Sequence, residues 1–386
     1  MSIVRLGAKA IDTTDPILGQ VLASTEGVSL GRRNMIHNGG MQVAQRSSNV
    51  TGVTSTNYYT IDRWQNVQSN DGTVTLSQVM DAPANTGLQL SYKVDVTTAD
   101  ASIAAAQYQH IQHKIEAVNL QHLMYGTANA ETITLSFYVK SSKTGIYGLC
   151  CSKNDATRYD YVAEYTINAA NTWERKTITI VPDSNIKASG GAIANDTGAG
   201  LVLKWILAAG SDRQGAANTW HASVPKDTTS NQVNFMDNTA NEFFLTGCQL
   251  EIGTEATEFE IVPFNEELTR CKRYYQQYTR QANYAGLGVA VPWNTTNGNI
   301  PFFMEVEPRA NPSVIVSNVA HFDYFAVTGT GAGGNPTGFS NAGWAGGNSM
   351  DIGFTGSGFV SARAMLVEFN NASATPTPFI ALKADL

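Results

Sequence analysis

Residues 131–141 read ETITLSFYVKS, and this stretch decides the fold class of the chain. Polar residues alternate there with Ile133, Leu135 and Phe137. A period of two places the apolar side chains on one face of a strand and the polar ones on the other. The stretch therefore predicts a half-buried β-strand.

Similar runs recur on both sides of this strand. Segments rich in Thr, Val, Ile, Tyr and Phe lie between residues 73 and 252, separated by turn clusters such as SSKTG and DNTAN. HKIEAVNLQHLM, at residues 113–124, instead predicts a strand that runs into a short helical turn, with Val118 or Leu120 pointing inward. Many short strands without regular helices predict a sandwich or jelly roll.

The pattern changes near residue 266. EELTRCKRYYQQYTR, residues 266–280, spaces Leu268, Cys271, Tyr275 and Tyr278 by three, four and three residues, which is one face of a helix. Its leading glutamates and trailing arginine match the helix dipole. We therefore predict a linker helix over residues 266–282.

A second all-β unit is expected over residues 283–386. NTTNGN, at residues 294–299, is a hairpin signal between two apolar runs. Residues 329–358 are dense in Gly, Asn and Ser, as in a long functional loop. The expected architecture is all-β: an extended arm over 1–34, a jelly-roll β-sandwich over 35–265, the linker helix, and a smaller C-terminal β-sandwich.

Composition excludes several classes of protein. Only 15% of the 386 residues are charged, against a usual share of about 25%, while 15 Tyr, 15 Phe and 6 Trp argue against disorder. A net charge of −7 without a basic tail disfavours nucleic acid and anionic membranes as partners. No run approaches the roughly 20 apolar residues of a membrane span, and no signal peptide is evident, which fits synthesis in a host cytoplasm.

No catalytic or metal-binding motif stands out. The four Cys form no CxxC pair and are read as small apolar residues. His110 and His113 would point to opposite faces of a strand, as ordinary surface or edge histidines. P-loop, GxSxG and HExxH motifs are lacking, and nothing singles out a pair of carboxylates for glycoside hydrolysis. We expect a non-enzymatic protein without a cofactor, with a structural calcium ion at Asp95, Asp100 or Asp237 as the alternative.

Aromatic side chains can stack on sugar rings, because CH groups pack on the aromatic face while the edge hydroxyls bond polar neighbours. Trp205 lies inside the apolar run VLKWILA and is expected in the core. Trp344, in GWAGG, is the best candidate for an exposed aromatic residue. The candidate glycan-binding residues are Trp293, Tyr324, Phe339, Trp344 and Trp220.

Several segments together resemble a known family. They are MIHNGGMQVAQR (35–46), YYTIDRW (58–64), IQHKIEAVNL (111–120), TLSFYVK (134–140), TGCQLEIGTEATEFE (246–260) and ELTRCKRYY (267–275). The series resembles phage virion and tail-fibre proteins from phages of marine bacteria and cyanobacteria. The resemblance covers residues 35–275 and implies a jelly roll similar to carbohydrate-binding modules.

The C-terminal unit has a less direct resemblance. FFMEVEPRANPSVIV, at residues 302–316, is similar to a passage in many tail-fibre tips, which are commonly homotrimers. The resemblance implies a structural virion protein, a tail fibre or fibre-like adhesin that binds host surface polysaccharide. Its arm would attach to other virion proteins. Two alternatives are a capsid decoration or head-fibre protein and an accessory carbohydrate-binding module of a secreted enzyme.

Overall fold

Two pairs of β-sheets form the framework of the protein in the computed structural model, which describes residues 32–222, 225–279, 285–326, 333–344, 346–361, 363–370 and 377–386. All paired strands run antiparallel within these ranges. The predicted arm lies outside the described residues except for Arg32, Arg33 and Asn34. The backbone N–H groups of Arg33 and Asn34 both donate to Glu260 at 3.0 Å, which holds the start of the described chain against the first unit.

The first unit is a jelly-roll sandwich of two six-stranded sheets. Its strands are β1 (Asn49–Val53), β2 (Trp64–Ser69), β3 (Thr73–Val79), β4 (Ser91–Thr98), β5 (Tyr108–Glu116), β6 (Ile133–Ser141), β7 (Gly145–Lys153), β8 (Tyr159–Ile167), β9 (Glu174–Ile180), β10 (Ala199–Ala209), β11 (Thr219–Ala222) and β12 (Glu242–Ile252). The strand orders are β1-β3-β4-β12-β6-β9 and β11-β8-β7-β10-β5-β2. Short 3₁₀ helices lie at Ala117–Leu123, Ser189–Gly191, Ser211–Arg213 and Phe235–Asp237.

The stretch 131–141 forms β6, as predicted. Ile133, Leu135 and Phe137 are fully buried between the two sheets. The polar side is also covered, because Thr134 Oγ1 donates to the carbonyl of Gly253 at 2.7 Å. The strand is therefore buried on both faces rather than on one.

Two tryptophans lie at the centre of the first core. The ring centroids of Trp64 and Trp205 are 5.2 Å apart, and Phe137 stands edge-on to Trp205 at 5.7 Å. Trp205 is fully buried, as expected. Leu120 points inward from the 3₁₀ helix after β5, while Val118 is exposed, which confirms the strand-then-turn prediction for this segment.

The second unit pairs a three-stranded sheet with a six-stranded one. Its strands are β13 (Tyr275–Thr279), β14 (Ala285–Pro292), β15 (Asn297–Phe303), β16 (Ser313–Val316), β17 (Phe322–Ala326), β18 (Gly338–Gly343), β19 (Ser349–Thr355), β20 (Met365–Phe369) and β21 (Phe379–Lys383), with a 3₁₀ helix at Val319–His321. The orders are β13-β21-β16 and β17-β20-β14-β15-β19-β18. This unit has a hydrophobic core of its own, whose buried aromatic residues are Phe302, Phe322, Tyr324, Phe354, Phe359 and Phe369.

The predicted hairpin joins β14 to β15. The backbone N–H of Trp293 donates to the carbonyl of Asn297 at 3.1 Å. Asn294 Oδ1 accepts from the backbone N–H groups of Thr296 and Asn297, which closes the turn. The Asn297–Gly298 pair that signalled the hairpin begins the second strand instead of forming the turn.

The linker helix is shorter than predicted. Helix α1 spans Phe264–Lys272, and Tyr275 begins β13. Tyr275 pairs with Lys383 and Tyr278 with Ile380, so sheet pairing overrides the helical spacing of these two tyrosines. Cys271 and Tyr275 are buried within this chain, so they pack on its own two units and not against further copies. Residues 280–282 of the predicted helix lie outside the described residues.

The two units are held together by charged and aromatic side chains. Arg46 donates two hydrogen bonds to Asp385, at 2.7 and 2.8 Å, and its guanidinium lies 3.8 Å from the ring centroid of Tyr275. Lys114 Nζ and the Tyr58 hydroxyl both donate to the backbone oxygen of Leu386 at 2.7 Å. These contacts attach the residues that follow β21, in the second unit, to the first unit.

The thiols and the two histidines lie inside the protein. All four Cys are free and buried, as the sequence indicated. His110 and His113 point to opposite sides of β5, but both are buried, not at the surface. Desolvation lowers the pKa of His110 to about 3, so its imidazole is neutral at ordinary pH.

Candidate functional site

An open groove of about 700 Å³ lies between β16 and β18, where the two sheets of the second unit meet. Residues 311–314 form one wall and residues 339–344 the other. These segments are about 25 residues apart in sequence, and the return of the chain through β17 brings them together. The groove combines the two best-placed aromatic candidates of the sequence, Phe339 and Trp344.

Contacts with neighbouring residues of the second unit hold the rings of Phe339 and Trp344 in place. The Phe339 ring packs 4.8 Å from that of Phe322, a fully buried residue of the core. The Trp344 indole N–H donates to the carbonyl of Gly347 at 3.1 Å, and the N–H of Gly347 donates to Glu307 at 2.9 Å. Both rings are half-buried, so each keeps an orientation without a ligand. Preorganised aromatic surface of this kind lowers the entropic cost of binding.

The polar part of the groove is made of amides and hydroxyls. Asn341 Nδ2 donates to the carbonyl of Pro312 at 2.7 Å and to Asn311 Oδ1 at 2.5 Å, which ties the two walls together. Ser340 and Ser313 are exposed beside them. None of the described lining residues is charged. This arrangement fits a neutral, hydroxylated ligand that offers CH groups to a ring and hydroxyls to amides.

The other aromatic candidates lie elsewhere. Trp293 is 54% exposed, but it lies after β14 on the outer side of the six-stranded sheet. Tyr324 and Trp220 are core residues, only 2% and 6% exposed, and are therefore withdrawn as sugar-stacking residues. The Tyr324 hydroxyl donates to the carbonyl of Ser357, and the Trp220 indole N–H to that of Val181, both at 2.9 Å. Their polar atoms are satisfied inside the fold, which sequence alone did not reveal.

The three calcium candidates each lie beside other polar groups of the protein. Asp237 bonds Lys143 at 2.5 Å, and Asp95 lies 3.8 Å from Lys93. Asp100 accepts the backbone N–H groups of Asp71 and Ser102. Asp100 and Asp237 thus accept hydrogen bonds from other residues, and the described residues contain no group of three or more His, Cys, Asp or Glu that could hold a metal ion.

A buried charge cluster covers the outer face of the sheet that contains β10. Lys204 points out of β10 and donates to Asp227 at 2.8 Å, and Arg213 donates to the same carboxylate at 3.1 Å. A Cβ at Gly148 would lie 2.3 Å from Thr228 Oγ1, so the segment around Asp227 lies directly on the sheet. This segment therefore covers the part of the face around Lys204 and Gly148. A lone lysine within the apolar run VLKWILA was the sequence signal for this buried pair, and sequence reasoning missed it.

No protein-family model matches the sequence, and no curated protein sequence is similar to it. Structural similarity covers 57% of the chain with the enzymatically active domain of tailspike protein 4 of bacteriophage CBA120, at 11% identity and a TM-score of 0.30. That match spans only 21% of the tailspike chain.

Two carbohydrate-binding modules are similar to a comparable degree. TmCBM61, solved with β-1,4-galactotriose, matches over 57% of this chain and 100% of its own, at 9% identity and a TM-score of 0.27. A family 11 module of a cellulosomal cellulase of Clostridium thermocellum matches over 54% and 98%, at 11% identity and a TM-score of 0.26. Similarity this low establishes neither a family nor a function. Within the described residues, no helix is long and apolar enough to cross a membrane.

Proposed function

We propose that this chain is a non-enzymatic phage virion protein, a tail fibre or fibre-like adhesin that binds host surface glycans through the groove between β16 and β18. The observation that carries the proposal is the pair of fixed rings, Phe339 and Trp344, beside an uncharged rim of amides and hydroxyls. Aromatic rings take the CH faces of a sugar, and Asn341, Ser340 and Ser313 take its hydroxyls. An uncharged groove favours a neutral polysaccharide over an acidic one.

A groove this open binds a sugar weakly, and multivalency offsets that weakness. Three linked copies convert later contacts into intramolecular ones, which raises the effective affinity by about 10²–10⁴. We therefore propose a homotrimer. The arm, residues 1–34, would attach it to other virion proteins. No cofactor or nucleic acid is part of this proposal.

A capsid decoration or head-fibre protein is the first alternative, because the same modules could be docked on the shell. An accessory carbohydrate-binding module of a secreted enzyme is the second. Labelling this protein on intact phage particles separates the three. We expect signal at the tail; signal only over the head indicates decoration, and no signal on particles contradicts a virion protein.

Glycan binding is tested independently of location. Purified full-length protein is applied to an array of bacterial surface glycans, with Trp344→Ala as the groove variant. We expect retention on neutral glycans that the variant loses. Equal retention of both proteins, or retention of neither, would contradict the groove as the binding site. Release of reducing sugar during the assay would contradict the non-enzymatic part of the proposal.

A further inference from the structure

The outer side of the six-stranded sheet in the second unit exposes a continuous set of apolar side chains. We call this set the outer apolar face. It consists of Val289, Val291, Trp293, Pro301, Phe303, Phe325 and Leu366. Alternation along β14 directs Val289 and Val291 outward, while Ala290 between them is fully buried.

Strand register makes this face continuous. Phe325 of β17 lies directly opposite Leu366 of β20, and Leu366 lies opposite Val289 of β14. One apolar row therefore crosses three neighbouring strands. On β15, Phe303 points outward while Phe302 is buried, which extends the apolar surface toward the centre of the sheet.

The exposed area has the size at which an apolar surface patch is often functional. Phe303, Trp293 and Phe325 are 78%, 54% and 39% exposed. Since an aromatic side chain buries about 150–250 Å² when fully covered, these three leave roughly 300–350 Å² of aromatic surface in water. Val289 and Val291 are each about half exposed as well. Monomers rarely expose contiguous apolar patches above a few hundred Å², and a stable interface needs about 800 Å² per partner, polar rim included.

The charges around the face restrict what can cover it. The six strands of this sheet contain no lysine or arginine. Asp323 and Glu368, opposite each other on β17 and β20, are the acidic residues nearest the Phe325–Leu366 end. Burial and the charge of Asp323 raise the pKa of Glu368. These strands thus supply no cation to hold an anionic ligand, and the Phe325–Leu366–Val289 row is neutral and apolar, as a matching surface on a second copy would be.

We infer that the outer apolar face is covered by further copies of this chain. The inference rests on the proposed function and extends it, because it names the surface through which the homotrimer would form. It also assigns Trp293 to subunit contact instead of sugar stacking. The groove lies at β18, three strands from β14 and two from β15, so association through this face leaves the groove open.

Light scattering of the purified full-length chain at micromolar concentration tests the inference. We expect a multi-chain mass for the wild type and a single-chain mass for Val291→Asp, because each association would bury several new carboxylates. Val181→Asp is the matched control, since Val181 is 55% exposed and Val291 50%, and it should keep the wild-type mass. Phe303→Asp provides a second disruption, with circular dichroism to verify that each variant is folded.

A single-chain mass for the wild type, or a multi-chain mass for both folded face variants, would overturn the inference. A two-chain mass that Val291→Asp abolishes supports the face while contradicting a trimer. Failure here is distinguishable from failure of glycan binding: the Val291→Asp monomer should still bind a monovalent oligosaccharide through its groove, and should lose only the multivalent gain on an array.

Discussion

The guanidinium of Arg273 donates two hydrogen bonds of 2.9 Å to the carboxylate of Glu116, whose side chain is fully buried. Arg273 follows the last residue of α1, and Glu116 ends β5, so this pair connects the start of the second unit to the central region of the first. Burial raises the pKa of Glu116, but the hydrogen bonds from Arg273 outweigh it and hold that pKa below its ordinary value. The carboxylate is charged at neutral pH, and the charge of Arg63 also favours its ionised form.

Replacing Arg273 with Met should lower the free energy of unfolding by about 2–3 kcal/mol, because a buried charged acceptor loses its donors. Arg273 is one-third exposed, so water moderates the loss. Urea denaturation measures it. Lys272→Met is the neighbouring control: its partner Glu305 is 58% exposed, and such pairs contribute about 0–1 kcal/mol. Equal effects of the two variants would show that the Glu116 pair does not couple the units.

Replacing Asp227 with Asn should cost about 3 kcal/mol, since it leaves Lys204 buried without its carboxylate. Asp95→Asn is the matched control, because Asp95 lies 3.8 Å from its nearest lysine and is partly exposed, and we expect a change within about 0.5 kcal/mol. Thermal unfolding at pH 7 compares them. A loss as small as the control's would mean that the buried pair contributes nothing net.

The Asp227–Lys204 pair should make the wild-type protein lose stability in acid over a defined pH range. Burial raises the pKa of Asp227, but the Lys204 charge dominates and lowers it from 3.8 to about 2 in the folded state. A folded pKa below the unfolded one stabilises the protein above pH 4, and this contribution disappears as pH falls from 4 to 2. The slope of stability against pH in this window should be shallower in Asp227→Asn. Parallel curves for the two proteins would contradict this.

The four thiols should be unreactive in the folded protein. Desolvation raises the pKa of Cys150 to about 12, and burial likewise raises the pKa values of Cys151, Cys248 and Cys271. Thiolate is the reactive form, so both its scarcity and its burial slow the reaction. Titration with a disulfide reagent should detect none of the four in native buffer and all four in denaturant. Rapid reaction of one thiol in native buffer would show that its region opens readily.

Replacing Trp344 with Ala should weaken binding of a monovalent neutral oligosaccharide at least tenfold, or about 1.4 kcal/mol. The ring would no longer present a flat face at the groove. Trp293→Ala removes the same side chain from the other side of the sheet and should leave monovalent affinity unchanged. Calorimetry compares both with the wild type. A larger loss for Trp293→Ala would place the sugar on the outer face and contradict the subunit contact there.

Local sequence patterns predicted the strands but not the pairing between distant segments. The alternation around Phe137 specified β6 and its inward face, since period two is a property of the strand itself. Tyr275 and Tyr278 have helical spacing, yet their partners are Lys383 and Ile380, a hundred residues later, and no local pattern contains that information.

The candidate site was predictable to a similar extent. Phe339 and Trp344 were identified as aromatic residues within the Gly-rich region 329–358. The prediction of a long loop there was wrong, because the region contains β18 and β19, whose pairing in the sheet is not visible in local composition. The opposite wall at 311–314 follows from tertiary packing and could not be read from composition. A tyrosine can be exposed or buried, and the residue type does not decide between the two. Only the position of Tyr324 in β17 places its ring in the core.

Strand β21 lies between β13 and β16 in the three-stranded sheet, so it supplies hydrogen-bond partners to both. During synthesis, β16 leaves the ribosome more than sixty residues before β21 does. At about 5–20 residues per second, β13 and β16 therefore wait several seconds with unsatisfied edges, while the first unit already has every strand it needs. Synthesis from the N-terminus thus favours an order of folding in which the jelly roll forms first. Arg46 and Lys114 of this first unit can then bind the residues that follow β21.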